Sequence, residues 1–101
     1  MTDNAFTVTV ARDLEDLIPG FMQNRRTELD ALRAALKGAD FEQLRQLGHR
    51  MKGVGQSYGF PRISTVGIEI EDAVRSRDQR ALEALISAYA DYLEKVTIEY
   101  E

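Results

Sequence analysis

The chain contains no cysteine and only one histidine among its 101 residues. The absence of cysteine excludes disulfides, thiolate nucleophiles and cysteine-based zinc sites. One histidine is too few for the usual histidine-rich zinc sites, so we expect no metal site. No stretch approaches the ~20 apolar residues of a membrane-spanning helix. The N-terminus also lacks the basic-then-apolar layout of a signal peptide. We therefore expect no membrane segment and a cytoplasmic location.

The chain also lacks an excess of basic residues. Its 13 lysines and arginines against 17 acidic residues give a net charge of −4, which argues against nucleic acid as a partner. The composition, 44% hydrophobic and 30% charged, is that of a globular domain. The length fits one domain over residues 1–101, large enough for a core without crosslinks.

The N-terminal region has two different patterns. The segment Phe6–Val10 alternates apolar and polar residues, as a strand does. Because we find no second strand for it to pair with, we expect an extended arm over residues 1–11, packed on the domain. A helical period begins at Asp13 and predicts a short helix to about Ile18, which Pro19 and Gly20 then kink or interrupt.

Four long helices are predicted after this segment. Asp40 and Asp78 are favourable N-cap residues. Gly38 and Gly59 are suited to the positions just past helix ends. The expected helices cover approximately 21–37, 41–58, 61–76 and 79–100. Because the connections are short, consecutive helices should be antiparallel neighbours. The predicted fold is all-α, an up-and-down antiparallel four-helix bundle with a short extra N-terminal helix.

His49 falls on the polar side of the second long helix. At about 100° per residue, the apolar positions of this helix cluster within roughly 80° of arc. These positions are Leu44, Leu47, Met51, Val54 and Tyr58. His49 lies roughly 170° from their centre, so we expect an exposed imidazole. The residues predicted to share its surface are Arg45, Lys52, Gly53 and Gln56, with Arg50 nearby.

Three glycines interrupt this otherwise helical stretch. Each should cost ~1 kcal/mol relative to alanine in a helix interior. Gly48 and Gly55 lie at the edge of the apolar stripe, where they would let a neighbouring helix approach closely. Gly53 lies on the other side, beside His49, where no internal helix needs room. We infer that Gly53 clears space for an external partner.

These residue types suit nucleophilic phosphoryl transfer. A free imidazole is largely neutral and nucleophilic at pH 7, and phosphoryl transfer depends mainly on positioning and charge stabilisation. Lys52 could supply that charge and Gln56 a hydrogen bond. No carboxylate or serine lies three or four residues from His49, which favours an accessible phosphoacceptor over a hydrolytic triad. An acidic cluster on the third helix is interpreted as a solvated face: Glu69, Glu71 and Asp72.

The second helix carries a recognisable run, which is His49-x-x-Lys52-Gly53-x-Gly55, followed by Tyr58-Gly59. It resembles the signature of histidine phosphotransfer (HPt) domains of bacterial two-component phosphorelays. The resemblance covers essentially the whole chain in length, helix order and placement of the signature. The family's histidine, lysine and close-approach glycine correspond to His49, Lys52 and Gly53. Val54 replaces a usually small residue, but it is predicted to face the core.

The resemblance implies a phosphorelay intermediate. His49 Nε2 would attack the aspartyl phosphate of a receiver domain, become phosphohistidine, and return the group to another receiver. The chain would need no cofactor, since Mg²⁺ would sit in the receiver's acidic pocket. Arg45, Arg50 and Lys52 would complement that pocket. Expected partners are response-regulator receivers, a hybrid histidine kinase, or both, and we expect the chain to be a monomer.

Two other interpretations remain open at this point. A non-catalytic helical adaptor could bind a receiver or kinase without being phosphorylated, although it would need neither His49 nor Lys52. The chain could also be the phosphoacceptor part of a larger histidine kinase. It has no ATP-binding segment, so we expect no autokinase activity. The start at Met1 and the end in a packed helix favour a free-standing protein.

Overall fold

A computed structural model describes residues 6–101 of the chain. Four α-helices dominate this region and confirm the predicted all-α class. The elements in chain order are strand β1 (Thr7–Val10), a 3₁₀ helix (Arg12–Leu17), α1 (Ile18–Lys37), α2 (Phe41–Tyr58), α3 (Pro61–Arg75), α4 (Gln79–Lys95) and strand β2 (Thr97–Tyr100). Within the described residues, no helix has the length and apolar character needed to cross a membrane.

The helix ends follow the signals in the sequence. The Asp40 carboxylate accepts a hydrogen bond from the backbone N–H of Gln43 at 3.0 Å, which caps α2. Asp78 caps α4 in the same way, accepting from the N–H of Ala81 at 3.0 Å. At the other end of α2, Gly59 adopts a left-handed conformation with φ of +83°. Glycine adopts this conformation without the steric cost of a Cβ and is therefore well suited to the end of a helix.

The expectation that Pro19 and Gly20 kink or interrupt the helix is wrong. Helix α1 begins at Ile18 and runs through both residues without a break. Proline is tolerated in a first helical turn because the N–H that it lacks would have no partner inside the helix. The preceding segment Arg12–Leu17 forms a 3₁₀ helix rather than an α-helix.

The expectation that the N-terminal strand has no partner is also wrong. Strand β1 pairs in parallel with β2, with Thr7 opposite Thr97 and Val10 opposite Tyr100. The fourth helix, predicted to reach Tyr100, ends at Lys95. Its last four predicted residues, Thr-Ile-Glu-Tyr, are rich in strand formers and alternate in burial. Of the arm expected over residues 1–11, residues 1–5 lie outside the described part.

The core lies between the helices and fixes how each one is rotated. Helix α1 packs against α2 and α4, while α3 packs against α2 and α4. Side chains with at most 2% of their surface exposed come from every helix and include Leu32, Leu44, Leu47, Met51, Ile63, Ile70, Leu82 and Tyr89. Burial of the apolar stripe of α2 leaves the opposite side of this helix facing solvent.

A small polar cluster joins α1 to α4 inside the bundle. Glu28 and Arg25 are both buried, and Glu28 Oε1 lies 3.3 Å from Arg25 Nε. The Tyr89 hydroxyl donates a hydrogen bond to the same carboxylate oxygen at 3.1 Å. Burial raises the pKa of Glu28, although Arg25 and the Tyr89 hydrogen bond act in the opposite direction.

Candidate functional site

His49 projects from the middle of α2 into solvent, with 70% of its side chain exposed. The stripe that includes Leu44, Leu47 and Met51 is buried on the other side of the helix. This burial determines the rotation of α2 and therefore the direction of the imidazole. The exposure expected from the helical spacing is confirmed.

Three residues predicted around His49 share its open surface. A Cβ added at Gly53 would meet nothing within 4 Å, so the domain leaves open space at this position, one turn from His49. Lys52 and Gln56 are exposed and line a groove of about 490 Å³ between α2 and α3. The α3 side of this groove includes Ile68, which is 43% exposed. A cation, an amide and an apolar surface therefore lie along the same side of α2.

The structure brings to His49 a residue that the sequence assigned to a solvated acidic face. Glu71 Oε2, from α3, lies 3.6 Å from His49 Nδ1. This separation exceeds an ordinary hydrogen bond but brings an anion against one edge of the imidazole. Glu71 is much less exposed than His49, with 20% of its side chain accessible. Sequence spacing along α2 could not find it, because Glu71 belongs to a different helix.

The predicted basic residues do not form one cluster. Arg45 donates two hydrogen bonds to Glu42, one turn earlier, at 2.6 and 3.1 Å. These hydrogen bonds hold the pKa of Glu42 below its usual value. Arg50 lines a different depression, between α1 and α2, together with Glu28. Only Lys52 among the three predicted cations lines the α2–α3 groove.

Glycines bring α2 and α3 into backbone contact. An added Cβ at Gly48 would lie 2.9 Å from the carbonyl oxygen of Gly67, and one at Gly55 would lie 2.6 Å from the backbone nitrogen of Ser64. The close approach expected at Gly48 and Gly55 is therefore confirmed. The Ser64 hydroxyl also donates a hydrogen bond to the carbonyl oxygen of Lys52 at 2.7 Å. The close packing of α3 against α2 places Glu71 near His49.

The arrangement provides a solvent-accessible nucleophile with an anion on one side and a cation on the same helix. Such a group can form a covalent bond to an electrophile carried by a large partner, because little of the domain surrounds it. Within residues 6–101, no group of three or more histidine, cysteine or acidic side chains is arranged to hold a metal ion.

Comparison with known proteins identifies one family. The sequence model described as Hpt domain matches residues 16–97, which include all four helices and the complete surface around His49. No curated protein and no solved structure gives a significant match.

Proposed function

Because this chain belongs to the Hpt domain family, whose members are phosphotransfer modules of two-component systems, we propose that His49 is its phosphoacceptor. In this proposal, His49 receives a phosphoryl group from the aspartyl phosphate of a response-regulator receiver and passes it to another receiver. The observation that carries the proposal is an imidazole 70% exposed on α2, within the family match.

The proposed transfer forms one bond to phosphorus and breaks another. The lone pair of His49 Nε2 attacks phosphorus, the bond from phosphorus to the aspartyl oxygen breaks, and its electrons return to the receiver's carboxylate. Transfer onward reverses these bond changes at a second receiver. Mg²⁺, which belongs in the receiver's acidic pocket, would offset charge on the phosphoryl oxygens there. This chain would contribute no metal ligand and no autokinase activity.

Lys52 and Gln56 would support the phosphoryl group from the side of α2. Lys52 lies one turn from His49, where its ammonium group can offset the charge of the phosphoryl oxygens. The Gln56 amide, one further turn along the same surface, can donate a hydrogen bond. Gly53 leaves room for the receiver's active-site loops because no side chain projects from position 53, and even an added Cβ there would meet nothing within 4 Å.

Glu71 would determine which imidazole nitrogen reacts. Of the two neutral tautomers of the imidazole, a carboxylate 3.6 Å from Nδ1 favours the one that carries its proton on Nδ1. The lone pair then lies on Nε2, which points away from Glu71 towards an incoming phosphoryl group. The same carboxylate stabilises the positive charge that develops on the ring during attack.

Arg45 and Arg50 are proposed as peripheral partner contacts. Both side chains of the Arg45–Glu42 pair are exposed, so Arg45 can exchange Glu42 for an acidic group of a receiver at little cost. Arg50 would meet a receiver only if the interface extends from His49 towards α1. These positions adjust affinity and association rate rather than chemistry.

The proposed partner surface agrees with an up-and-down path of the four helices. The connections between consecutive helices are three residues or fewer in length, and consecutive helices pack together. We propose that the helices alternate in direction and that α2 and α3 present one continuous surface to the receiver.

A direct test measures phosphoryl transfer from a panel of phosphorylated receiver domains in the presence of Mg²⁺. The wild-type chain should acquire a base-stable, acid-labile label, and His49→Gln should acquire none while remaining folded. A receiver that binds tightly but transfers no label to the wild type would contradict the proposal for that pair. It would favour the adaptor interpretation instead.

A further inference from the structure

The helices that carry His49 and Glu71 meet where neither has a side chain. An alanine Cβ at position 67 would lie 2.5 Å from the carbonyl oxygen of Gly48 and 2.8 Å from the backbone nitrogen of Lys52. Ordinary contacts of a Cβ are 3.4–4 Å. Because both obstructing atoms belong to the backbone, no side-chain rotation can relieve the overlap. The present spacing of α2 and α3 therefore requires glycine at position 67.

This contact lies next to the residues of the proposed reaction. Gly48 directly precedes His49, and Gly67 lies one turn before Glu71 on α3. The Ser64 hydroxyl adds a second attachment by donating to the carbonyl oxygen of Lys52. Helix α3 thus holds the backbone of α2 at both ends of the segment 48–52.

The separation of His49 and Glu71 is sensitive to this spacing. Nδ1 and Oε2 are 3.6 Å apart, beyond the 2.7–3.2 Å of most hydrogen bonds. Within the described residues, Glu71 is the acidic side chain found within 4 Å of the imidazole. Since most of the imidazole is in water, the carboxylate's influence is already weak at this distance and falls further when the helices move apart.

We propose that Gly67, in contact with Gly48, is a positioning residue that acts on His49 through Glu71. The contact sets the interhelical distance at which the carboxylate keeps the imidazole proton on Nδ1 and leaves Nε2 free to react. The functional importance of the Gly48–Gly67 contact rests on the proposed phosphoacceptor role of His49. The geometric effect itself can be measured without any phosphoryl transfer.

The test is nitrogen-15 NMR of the neutral imidazole in the full chain, which reports the ratio of the Nδ1–H to the Nε2–H form. The variants are Gly67→Ala, Glu71→Gln and the combination of both. We expect Gly67→Ala to lower this ratio about twofold, equivalent to ~0.4 kcal/mol. Glu71→Gln should lower it at least as much, and the double variant should match Glu71→Gln alone.

Gly20→Ala is the matched control. It is the same substitution in a helix, but an added Cβ at Gly20 meets nothing within 4 Å. We expect it to keep the wild-type ratio. A folded Gly67→Ala variant with the wild-type ratio would overturn the proposal, as would independent effects of Gly67→Ala and Glu71→Gln in the double variant.

Two further measurements separate the possible failures. If Gly67→Ala does not fold, Gly48→Ala introduces a less severe overlap with the same contact, 2.9 Å from the Gly67 carbonyl oxygen. A lowered ratio in that variant supports the proposal, and an unchanged ratio overturns it.

Transfer from receivers is measured in parallel. Absence of label on the wild type refutes the phosphoacceptor role, whereas normal transfer with an unchanged tautomer ratio in Gly67→Ala refutes only the positioning role.

Discussion

At the scale of single residues, the two nitrogens of His49 have different surroundings. Nδ1 faces the Glu71 carboxylate at 3.6 Å, while the imidazole as a whole is largely exposed. Lys52 follows one turn along α2 and lines the adjoining groove. The proposed chemistry therefore assigns the proton to one side of the ring and the phosphoryl group to the other.

Lys52→Ala is expected to slow phosphoryl transfer to His49 by about tenfold, because a cation near the transferring group is lost. The effect should be smaller than that of a buried donor, since Lys52 is exposed and water can replace part of its contribution. The measurement is the transfer rate from one phosphorylated receiver at fixed Mg²⁺. Lys37→Ala, which removes an exposed lysine at the end of α1, is the control. Equal rates for Lys52→Ala and the wild type would contradict the assigned role.

At the scale of elements, α2 and α3 differ from the other helix pairs because glycines allow their backbones to touch. Helices α1 and α4 are instead joined through the buried group of Arg25, Glu28 and Tyr89. The contact between α2 and α3 depends on steric fit, whereas the contact between α1 and α4 depends on the charge state of the Glu28 carboxylate. The stability of the second contact should therefore respond to pH.

The buried carboxylate gives a pH dependence with a defined sign. Burial raises the folded-state pKa of Glu28 above its ordinary value of 4.5, so the folded protein binds this proton more tightly than the unfolded chain does. The contribution of Glu28 to stability is then fully present below pH 4.5 and is lost as pH rises through the raised pKa.

The measurement is urea unfolding of the wild type and Glu28→Gln between pH 4 and pH 7. The glutamine resembles the protonated acid, so the free energy of unfolding of the wild type should decline relative to that of the variant as pH rises. Asp30→Asn, an exposed acid on the same helix, provides the control. If the free energy of unfolding of the wild type stays constant or rises relative to that of Glu28→Gln as pH increases, burial is not the dominant influence on the pKa of Glu28.

At the scale of the whole molecule, the parallel pairing of β1 with β2 connects the segment that precedes the helices to the segment that follows them. Isolated two-stranded sheets are marginal in water, so this sheet must draw support from its packing. Val10 provides such packing, with only 1% of its surface exposed, and the N–H of Glu101 extends the pairing by donating to the Val10 carbonyl.

Val10→Ala is expected to lower the free energy of unfolding by about 2 kcal/mol, because it removes buried methyl groups and leaves a small cavity. Denaturant unfolding of the full chain measures this loss. Thr9→Ala, an exposed position in the same strand, should change stability much less. If the two variants lose equal stability, Val10 does not anchor the sheet to the core.

The features that depend on local spacing can be predicted from the amino-acid sequence. The helical period placed His49 opposite a stripe containing Leu44, Leu47 and Met51, because burial of that stripe leaves one direction for the imidazole. The capping roles of Asp40 and Asp78 followed from side-chain chemistry within one turn of each. The signature that begins at His49 indicates the Hpt domain family without any information on helix packing.

The features that join distant parts of the chain depend on how the helices pack and cannot be predicted from local spacing. Glu71 belongs to an acidic run that suggests a solvated face, yet the packing of α3 on α2 brings its carboxylate to Nδ1 of His49. Strand β2 could not be predicted from local spacing, because the apolar residues Val96 and Tyr100 are also spaced as in a helix. Pairing with β1 favours the extended conformation. Local periodicity fixes which way a side chain points along its own helix. The distance between two helices depends on the atoms between them, which here are the backbones of Gly48 and Gly67.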